Sequence, residues 1–486
     1  MMKKTQGAYE VLVSWEPFLT QIAFLKEGRV EHFFVERPHQ KSEVGNIYKG
    51  RVVKVLKGLQ AAFVDIGTSR NGFLPFEEQE EWFPLEGAEE EQCSRARKPL
   101  AVGEECVVQV TKPGFEHKGV KLTAQVSLPG RLLVLLPFSS RRGVSRRIES
   151  AAERQRLAEI LGEVVPSSMG FIVRTACSGK KKDEIQREAR FLISSAEKIK
   201  RLARRLPPGS LLREEDDLPA VVLRDYVTED VREILVDSER VFRQMRVYAR
   251  AFMPEVLGRI RLVRDRTPLL ERYGVTKQIV GFLDERVPLP SGGYLLIEEG
   301  NHLMAIDVNT GGSQRKSLSD TIFHTNLEAA QEIPRQIRVR NLSGLIVIDF
   351  IDMKDAGQRR QVFETLEKAM ESDKARTKTL HISKLGLVEM SREKFGLSLV
   401  RELMSPCACC GGTGRTKSVE LAAIEAKNAL VAKMQKSPSA RMTVRLSKDL
   451  REFCEAQNVF RLSFLERRRV AFQTVASFQP CEFEIV

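Results

Sequence analysis

The chain has 486 residues with 78 Lys and Arg against 65 Asp and Glu, a formal charge of +13; it is too long for one core and implies about three domains or more. No run reaches the ~18 apolar residues of a membrane helix, and Met1-Met2-Lys3-Lys4 leads into polar sequence rather than a signal core, so a cytoplasmic protein is expected. The positive excess points to a polyanion, nucleic acid or an anionic membrane, while eight cysteines, three of them in Cys407-Ala408-Cys409-Cys410, read as metal ligands plus scattered thiols rather than a disulfide framework.

Residues Val11 to Glu36 alternate around a Glu27-Gly28 turn and predict a β-hairpin. From Gly45 five short strands follow, at 47–55, 61–67, 72–75, 106–111 and 120–128, with basic residues and aromatics that suit an OB-type barrel. In such barrels rings stack on bases and Lys neutralises phosphate, which makes Phe63, Phe73 and Lys118 candidates; ordinary barrel core is the competing reading of each ring. The acidic run at 77–91, which holds Trp82, reads as a solvated loop.

Leu132 to Phe138 opens another α/β segment. In it Gly170-Phe171-Ile172-Val173-Arg174-Thr175 sets a guanidinium and a hydroxyl at the end of an apolar strand, a clamp for a terminal phosphate. Arg141-Arg142 reads as a solvated basic face, and Ser178-Gly179-Lys180 lacks the upstream Gly of a phosphate loop. Glu184 to Arg205 is a long basic helix broken by Pro207-Pro208-Gly209, a domain boundary. Asp217 to Arg240 is mixed α/β, and Phe242 to Tyr273 reads as mostly helical.

The stretch from Tyr294 to Met353 organises the rest. Two apolar runs, Leu303 to Asn309 and Leu345 to Ile351, read as strands, and Thr321 to Arg340 between them has helical spacing, which makes a βαβ unit. Alternation puts Asp307 and Asn309 on one face, opposite Met304, Ile306 and Val308. If the strands are parallel neighbours, Asp307 and Asp349 reach the carboxyl edge of the sheet, where open α/β sheets bind ligands. Two carboxylates and an amide oxygen suit a hard cation such as Mg²⁺, completed by water and phosphate oxygens; strand-end aspartates that merely cap loops are the plainer alternative. Asp352 has the opposite parity to Asp349 and ranks below the pair. Pro334 falls inside the connecting helix, where it costs about 3 kcal/mol unless the helix kinks or ends, and the 311–319 loop is compact. His381 to Arg392 adds a strand and a basic edge, and Glu420 to Met434 starts a last helical segment.

Cys407-Ala408-Cys409-Cys410-Gly411-Gly412-Thr413-Gly414 fits C-x-x-C-x-G-x-G, a loop whose glycines let N–H groups approach thiolates. It supplies two of the four ligands of a structural zinc. The others come from a distant residue such as Cys454 or from a second copy of the chain. Cys409 is either a competing ligand or a free thiol.

Taken together, AIDVNTG at 305–311, TNLEAAQEIPRQIRVRNLSGLIVIDFIDM at 325–353, HISKLGLVEMSR at 381–392 and the CACCGGTG loop resemble the ribonuclease E/G family. GNIYKGRVVKV, AAFVDIG, GVSRRIE and GFIVRTA are weaker matches, and the resemblance covers nearly the whole chain. It implies a multidomain α/β (α+β) architecture. An RNase H-like subdomain (1–40 and 215–285) is split by an S1-type OB fold (41–128) and a 5′-sensor domain (129–214). A DNase-I-like catalytic subdomain (286–402), a zinc-link (403–416) and a small C-terminal domain (417–486) follow.

The resemblance also implies a Mg²⁺-dependent endoribonuclease that prefers single-stranded RNA with a 5′-monophosphate and acts in rRNA and tRNA processing and mRNA decay. Asp307 and Asp349 would hold Mg²⁺ with Asn309 orienting them, and Phe63, Phe73 and Lys118 would grip RNA. Gly130, Val134, Arg146, Arg174, Thr175 and Arg376 would form the 5′-phosphate pocket. Cys407 and Cys410 would share zinc with a partner subunit in a homodimer or dimer of dimers. The chain looks like the short, ribonuclease G-like form, with no long scaffold arm for other degradation enzymes. The rival expectation is a non-catalytic RNA-binding or ribosome-assembly factor, which leaves the two aspartates idle.

Overall fold

The computed structural model describes residues 9–78, 100–114, 119–300, 302–312, 317–383, 386–394, 396–436, 442–460 and 470–486. Helices and sheets mix throughout, and two compact units emerge, Met1–Leu399 and Val400–Val486. Among the described residues no helix is long and apolar enough to cross a membrane.

The first sheet is built on strands Tyr9–Glu16, Leu19–Lys26 and Arg29–Glu36, an antiparallel meander. Glu27 and Gly28 have φ of 52° and 79°, the left-handed pair that lets a two-residue turn follow strand twist. The expected hairpin thus gains a third strand, because the chain also reverses at Pro17-Phe18. Val231–Val236 joins Tyr9–Glu16 in parallel and Ile260–Leu262 extends that edge. This last strand lies inside the stretch expected to be helical; the helix Glu239–Phe252 stops ahead of Pro254, which has no N–H to continue the ladder.

The chain between the two halves of this sheet builds two further sheets. Ile47–Leu56, Ala61–Asp65, Gly72–Pro75, Glu105–Lys112 and Lys121–Thr123 close into a barrel when the first pairs with the fourth, around a core of Val52, Val64, Ile66, Leu74 and Leu122. Ser210–Arg213 adds to the barrel through Ile47–Lys49. Of the acidic run, Glu78 turns inward to accept from the Thr123 hydroxyl at 2.7 Å, whereas 79–91 lies outside the described residues. The other sheet orders Arg142–Val144, Gly170–Val173, Leu133–Leu136 and Leu128–Pro129. Helix Lys182–Arg205 covers it with Ile185, Ala189, Leu192, Ala196 and Ile199, one residue per turn on a single stripe.

The sheet that matters most has six strands, in the order Arg286–Pro288, Tyr294–Glu299, Leu303–Asn309, Gly344–Asp349, Leu387–Arg392 and Thr377–Thr379. Leu303–Asn309 and Gly344–Asp349 are parallel neighbours joined by helix Leu318–Val339, as the βαβ reading requires. Ile306, Val308, Ile346 and Ile348 point to one side, where they bury against Ala329, Ile333 and Ile337 of that helix and Val362 and Leu366 of helix Ala356–Met370. Each fully buried aliphatic chain contributes roughly 1.5–3 kcal/mol, which ties the register of the strands to the helices. Ser317 starts the connecting helix by accepting from the Asp320 N–H at 3.1 Å, and Asp355 starts the next by accepting from Gln358 at 2.7 Å.

Pro334 does not end the connecting helix; its ring is buried and the helix continues to Val339. The same helix ties this sheet to the first one, through Arg338 to Glu31 at 2.9 Å and Arg335 to the Val30 carbonyl at 2.9 Å. Arg392, expected on a basic edge, is instead buried and paired with Asp373 at 2.7 Å.

The unit Val400–Val486 has a three-stranded sheet, Val470–Thr474, Met442–Leu446 and Phe483–Ile485. Helices Val419–Lys436 and Lys448–Ala456 cover it around Ala426, Leu430, Val444, Leu450 and Cys454.

Candidate active site and RNA-contacting surfaces

Asp307 and Asp349 face each other in register across the two parallel strands. Both are exposed, while Ile306, Val308 and Ile348 beside them are buried. An ionised carboxylate only accepts, so the Asn309 side chain presents its nitrogen to Asp307, at 2.7 Å, and keeps its amide oxygen for another partner. Partial loss of water raises the Asp349 pKa, and the charges of Asp307 and Asp352 raise it further. Two like charges on one sheet edge are a cation's complement, and a bound dication reverses that shift. Among the described residues no group of three or more His, Cys, Asp and Glu side chains that could hold a metal ion comes together, so the protein's own carboxylates here number two and any hard cation would need water or substrate oxygens to complete its shell.

Asp352 comes closer to this edge than its parity suggested. The strand ends at Asp349, so alternation says nothing about residues beyond it. Asp352 lines a cavity of about 390 Å³ with Phe350, Arg359, Ile382 and Ser383.

The chain beyond Asp349 is pinned by a residue that sequence reasoning passed over. Asn326, fully buried on the connecting helix, donates to the Ile351 carbonyl at 2.8 Å and accepts from the Ile351 N–H at 3.1 Å. Its signal in the sequence was an amide on the helix's apolar stripe, one turn before Ala330.

In the barrel, Phe63 and Phe73 are cross-strand partners whose rings meet edge to face, 5.8 Å apart. Both are half-buried and stand apart from the barrel core. Lys118 lies outside the described residues.

The candidate phosphate-pocket residues lie on four segments of the chain. Arg174 donates to the Gly130 carbonyl and to Asp225, both at 2.7 Å. Thr175 lies 3.1 Å from the Ser145 hydroxyl, next to exposed Arg146. Val134 is half-buried on the strand paired with Gly170–Val173. Arg376 is exposed two residues beyond Lys374, whose ammonium meets the Asp225 carbonyl and covers the Tyr226 ring at 4.4 Å. Desolvation lowers the Lys374 pKa to about 8. A Cβ on Gly130 would sit 2.2 Å from the carboxylate of buried Glu188, so the backbone approaches the pocket there only as glycine. Asp225, absent from the sequence expectations, is the anchor: Arg174, Arg224 and Lys374 all converge on it.

The sequence pattern of the ribonuclease E/G family matches residues 127–395. Ribonuclease G of Escherichia coli K12 is 34% identical over 484 residues, covering 98% of this chain and 99% of its own length. The chain belongs to the ribonuclease E/G family. Ribonuclease G of Haemophilus influenzae is 37% identical over 422 residues, 86% of each chain. Ribonuclease E of Escherichia coli K12 is 38% identical over 405 residues, 82% of this chain but 38% of its own length. Within the ribonuclease E/G family the chain is thus a short, ribonuclease G-like member.

The cysteine loop of this ribonuclease E/G chain is shaped for a thiolate. Gly411, Gly412 and Gly414 take positive φ of 61°, 92° and 70°, and the Gly414 N–H points at Cys410 sulfur, 3.3 Å away. Hydrogen bonds from Gly414 and Gly412 lower the Cys410 pKa. Cys407 is exposed and Cys409 part-exposed, whereas Cys454 is buried in the core of its unit with its pKa raised to about 11 by desolvation. An in-chain site through Cys454 would require opening that core.

Proposed function

We propose that this chain is a metal-dependent endoribonuclease that cleaves single-stranded RNA at the edge formed by Asp307 and Asp349. The observation that carries this reading is the in-register pairing of the two aspartates on neighbouring parallel strands. As a ribonuclease E/G family member the chain is an RNA-cleaving hydrolase of RNA processing and decay. Asp307 and Asp349 hold Mg²⁺, and Asn309 keeps Asp307 oriented through its amide nitrogen. When bound, the ion supplies an activated water and stabilises charge on the scissile phosphate.

The remaining groups supply position. Phe63, Phe73 and Lys118 hold single-stranded RNA on the barrel, a reading supported by the half-buried rings outside the barrel core. Gly130, Val134, Arg146, Arg174, Thr175 and Arg376 accept a 5′-monophosphate, with Arg174 aimed by Asp225. Cys407 and Cys410 share zinc with a second copy, in a dimer or dimer of dimers acting in the cytoplasm on rRNA and tRNA precursors and mRNA.

The test uses one short RNA bearing a 5′-monophosphate, a 5′-triphosphate or a 5′-hydroxyl. Wild type should cleave all three with Mg²⁺ and none in EDTA, and the monophosphate fastest. Cleavage that persists in EDTA removes the metal assignment; equal rates on the three ends remove the pocket.

A further inference from the structure

The aspartates share their side of the sheet with other chemistry. Both covering helices pack on Leu295, Ile297, Ile306, Val308, Ile346 and Ile348, so the alternate residues occupy the uncovered side. There Tyr294 is the cross-strand partner of Asn309, and Leu296 of Asp307. One strand spacing, ~4.8 Å, separates these columns. On the next strand out, Arg286 pairs with Leu296 and lays its guanidinium 3.9 Å from the centre of the Tyr294 ring. Arg286 is exposed, and among the described residues its guanidinium meets this ring and makes no hydrogen bond or ion pair, so its N–H donors are uncommitted there.

An open cleft of about 790 Å³ lies over this pair, with Leu296 on its wall and Asp284 and Glu285 beside Arg286. The chain leaving the Asp307 strand passes flush against the same ring: a Cβ on Gly311, at φ +52°, would lie 3.2 Å from Tyr294 and 2.5 Å from the Gly292 carbonyl oxygen. Ring, planar cation and apolar wall are the complement of a nucleotide, whose base stacks and whose phosphate takes the guanidinium edge. Arg286 is the cation on the cleft's lining, and Asp284 and Glu285 beside it leave the guanidinium edge as the place where a phosphate is attracted. An idle surface cation–π pair is the plainer account, but it leaves without a use the cleft and a ring that sits one strand from Asp307, with the guanidinium laid on it from the strand beyond.

We propose that Tyr294 and Arg286 form a nucleotide-binding subsite for single-stranded RNA, which holds a nucleotide adjacent to the scissile phosphate. The inference rests on Asp307 and Asp349 marking the cleavage edge.

Binding is read first, by fluorescence anisotropy of a labelled short RNA on the full chain in EDTA, so that no cleavage is needed. Tyr294→Ala and Arg286→Ala should each weaken binding ~10-fold, the scale of one stacked base, and Tyr294→Phe should stay near wild type because it keeps the ring. With Mg²⁺, the two alanine variants should raise KM more than they lower kcat. RNA carrying 4-thiouridine beside the cut should crosslink to the peptide that contains Tyr294. Wild-type anisotropy and KM in both alanine variants, or a crosslink confined to other peptides, overturns the subsite. If Tyr294→Ala fails to fold by thermal melt, Arg286→Ala at its exposed position and the crosslink decide alone. Loss of the cleavage-edge reading shows separately, as an Asp349→Asn protein that cleaves at the wild-type rate.

Discussion

Arg392 and Asp373 form a buried clamp whose removal has a calculable effect. Arg392 donates to both Asp373 oxygens, at 2.7 and 3.2 Å, to the Asn341 side chain at 3.0 Å and to the Leu342 carbonyl at 2.9 Å. Their side chains are 6% and 3% exposed. The clamp joins the segment just past the connecting helix, the strand Leu387–Arg392 and the turn before Thr377, and Arg392 pairs with Gly344, five residues ahead of Asp349 on the neighbouring strand. Asp373→Ala strands a buried guanidinium, which costs about 3–5 kcal/mol. At 2–4 °C per kcal/mol for a large domain, the melting temperature should fall by about 10 °C. Asp373→Asn keeps the shape and one acceptor and should lose roughly half of that. Replacing both partners, as Asp373→Ala with Arg392→Met, should recover part of the loss because no charge is left unpaired. Differential scanning calorimetry of the four proteins checks this. The reasoning fails if Asp373→Ala melts with wild type, or if the double variant is less stable than the single by the full cost of a second deletion.

Further outcomes concern four sites. Asp349→Asn should lower RNA cleavage by about 10²–10³-fold, the scale of one lost charge-stabilising contact. Folding raises the Asp349 pKa, so its ionised form opposes folding once the pH rises through that value; Asp349→Asn should therefore melt above wild type at neutral pH in EDTA, with the gap closing in acid. His32, half-buried against Phe24, Phe34 and Tyr226, has its pKa lowered from 6.5 to about 3 by desolvation and by Arg338. The stability that this neutral imidazole contributes is present above pH 6.5 and is lost as the pH falls, by about 2 kcal/mol near pH 5; unfolding of His32→Gln should show a flatter pH profile over that window. Asp225→Asn should cut the advantage of a 5′-monophosphate over a 5′-hydroxyl roughly 10-fold, matching a charged hydrogen bond of about 1.5–3 kcal/mol, and leave cleavage of the hydroxyl RNA in place. Metal analysis should find about one zinc per two chains, with chelation splitting the dimer in analytical ultracentrifugation; one zinc per chain would point to a site within each chain instead.

What the sequence disclosed was local and periodic. Leu303–Asn309 and Gly344–Asp349 are short apolar runs with a carboxylate at or near the C-terminal end, and the helix between them repeats its apolar residues, so a βαβ unit could be expected from the sequence, and the strands do pair in parallel. The barrel strands were legible for the same reason. What escaped has no local period. The reversal at Pro17-Phe18 hides in an apolar run, and Ile260–Leu262 is three residues long beside a parallel partner. Asp225 meets Arg174 across 51 residues of chain, and Arg392 looks like any surface cation until Asp373 arrives beside it. Asp352 shows the limit of parity, which holds only while the strand lasts.

Asn326 sets how the sheet edge that carries Asp349 tolerates insertion and deletion. Its amide substitutes for a neighbouring strand at Ile351, so the phase of a helix is written into the path of the chain just past Asp349. One residue inserted between Ser317 and Asn326 swings that amide by about 100° and unhooks Ile351, although no residue of the aspartate strands has changed. Length variation between the helix cap at Ser317 and Asn326 is therefore barred, as it is within the strands whose register sets the two aspartates opposite each other.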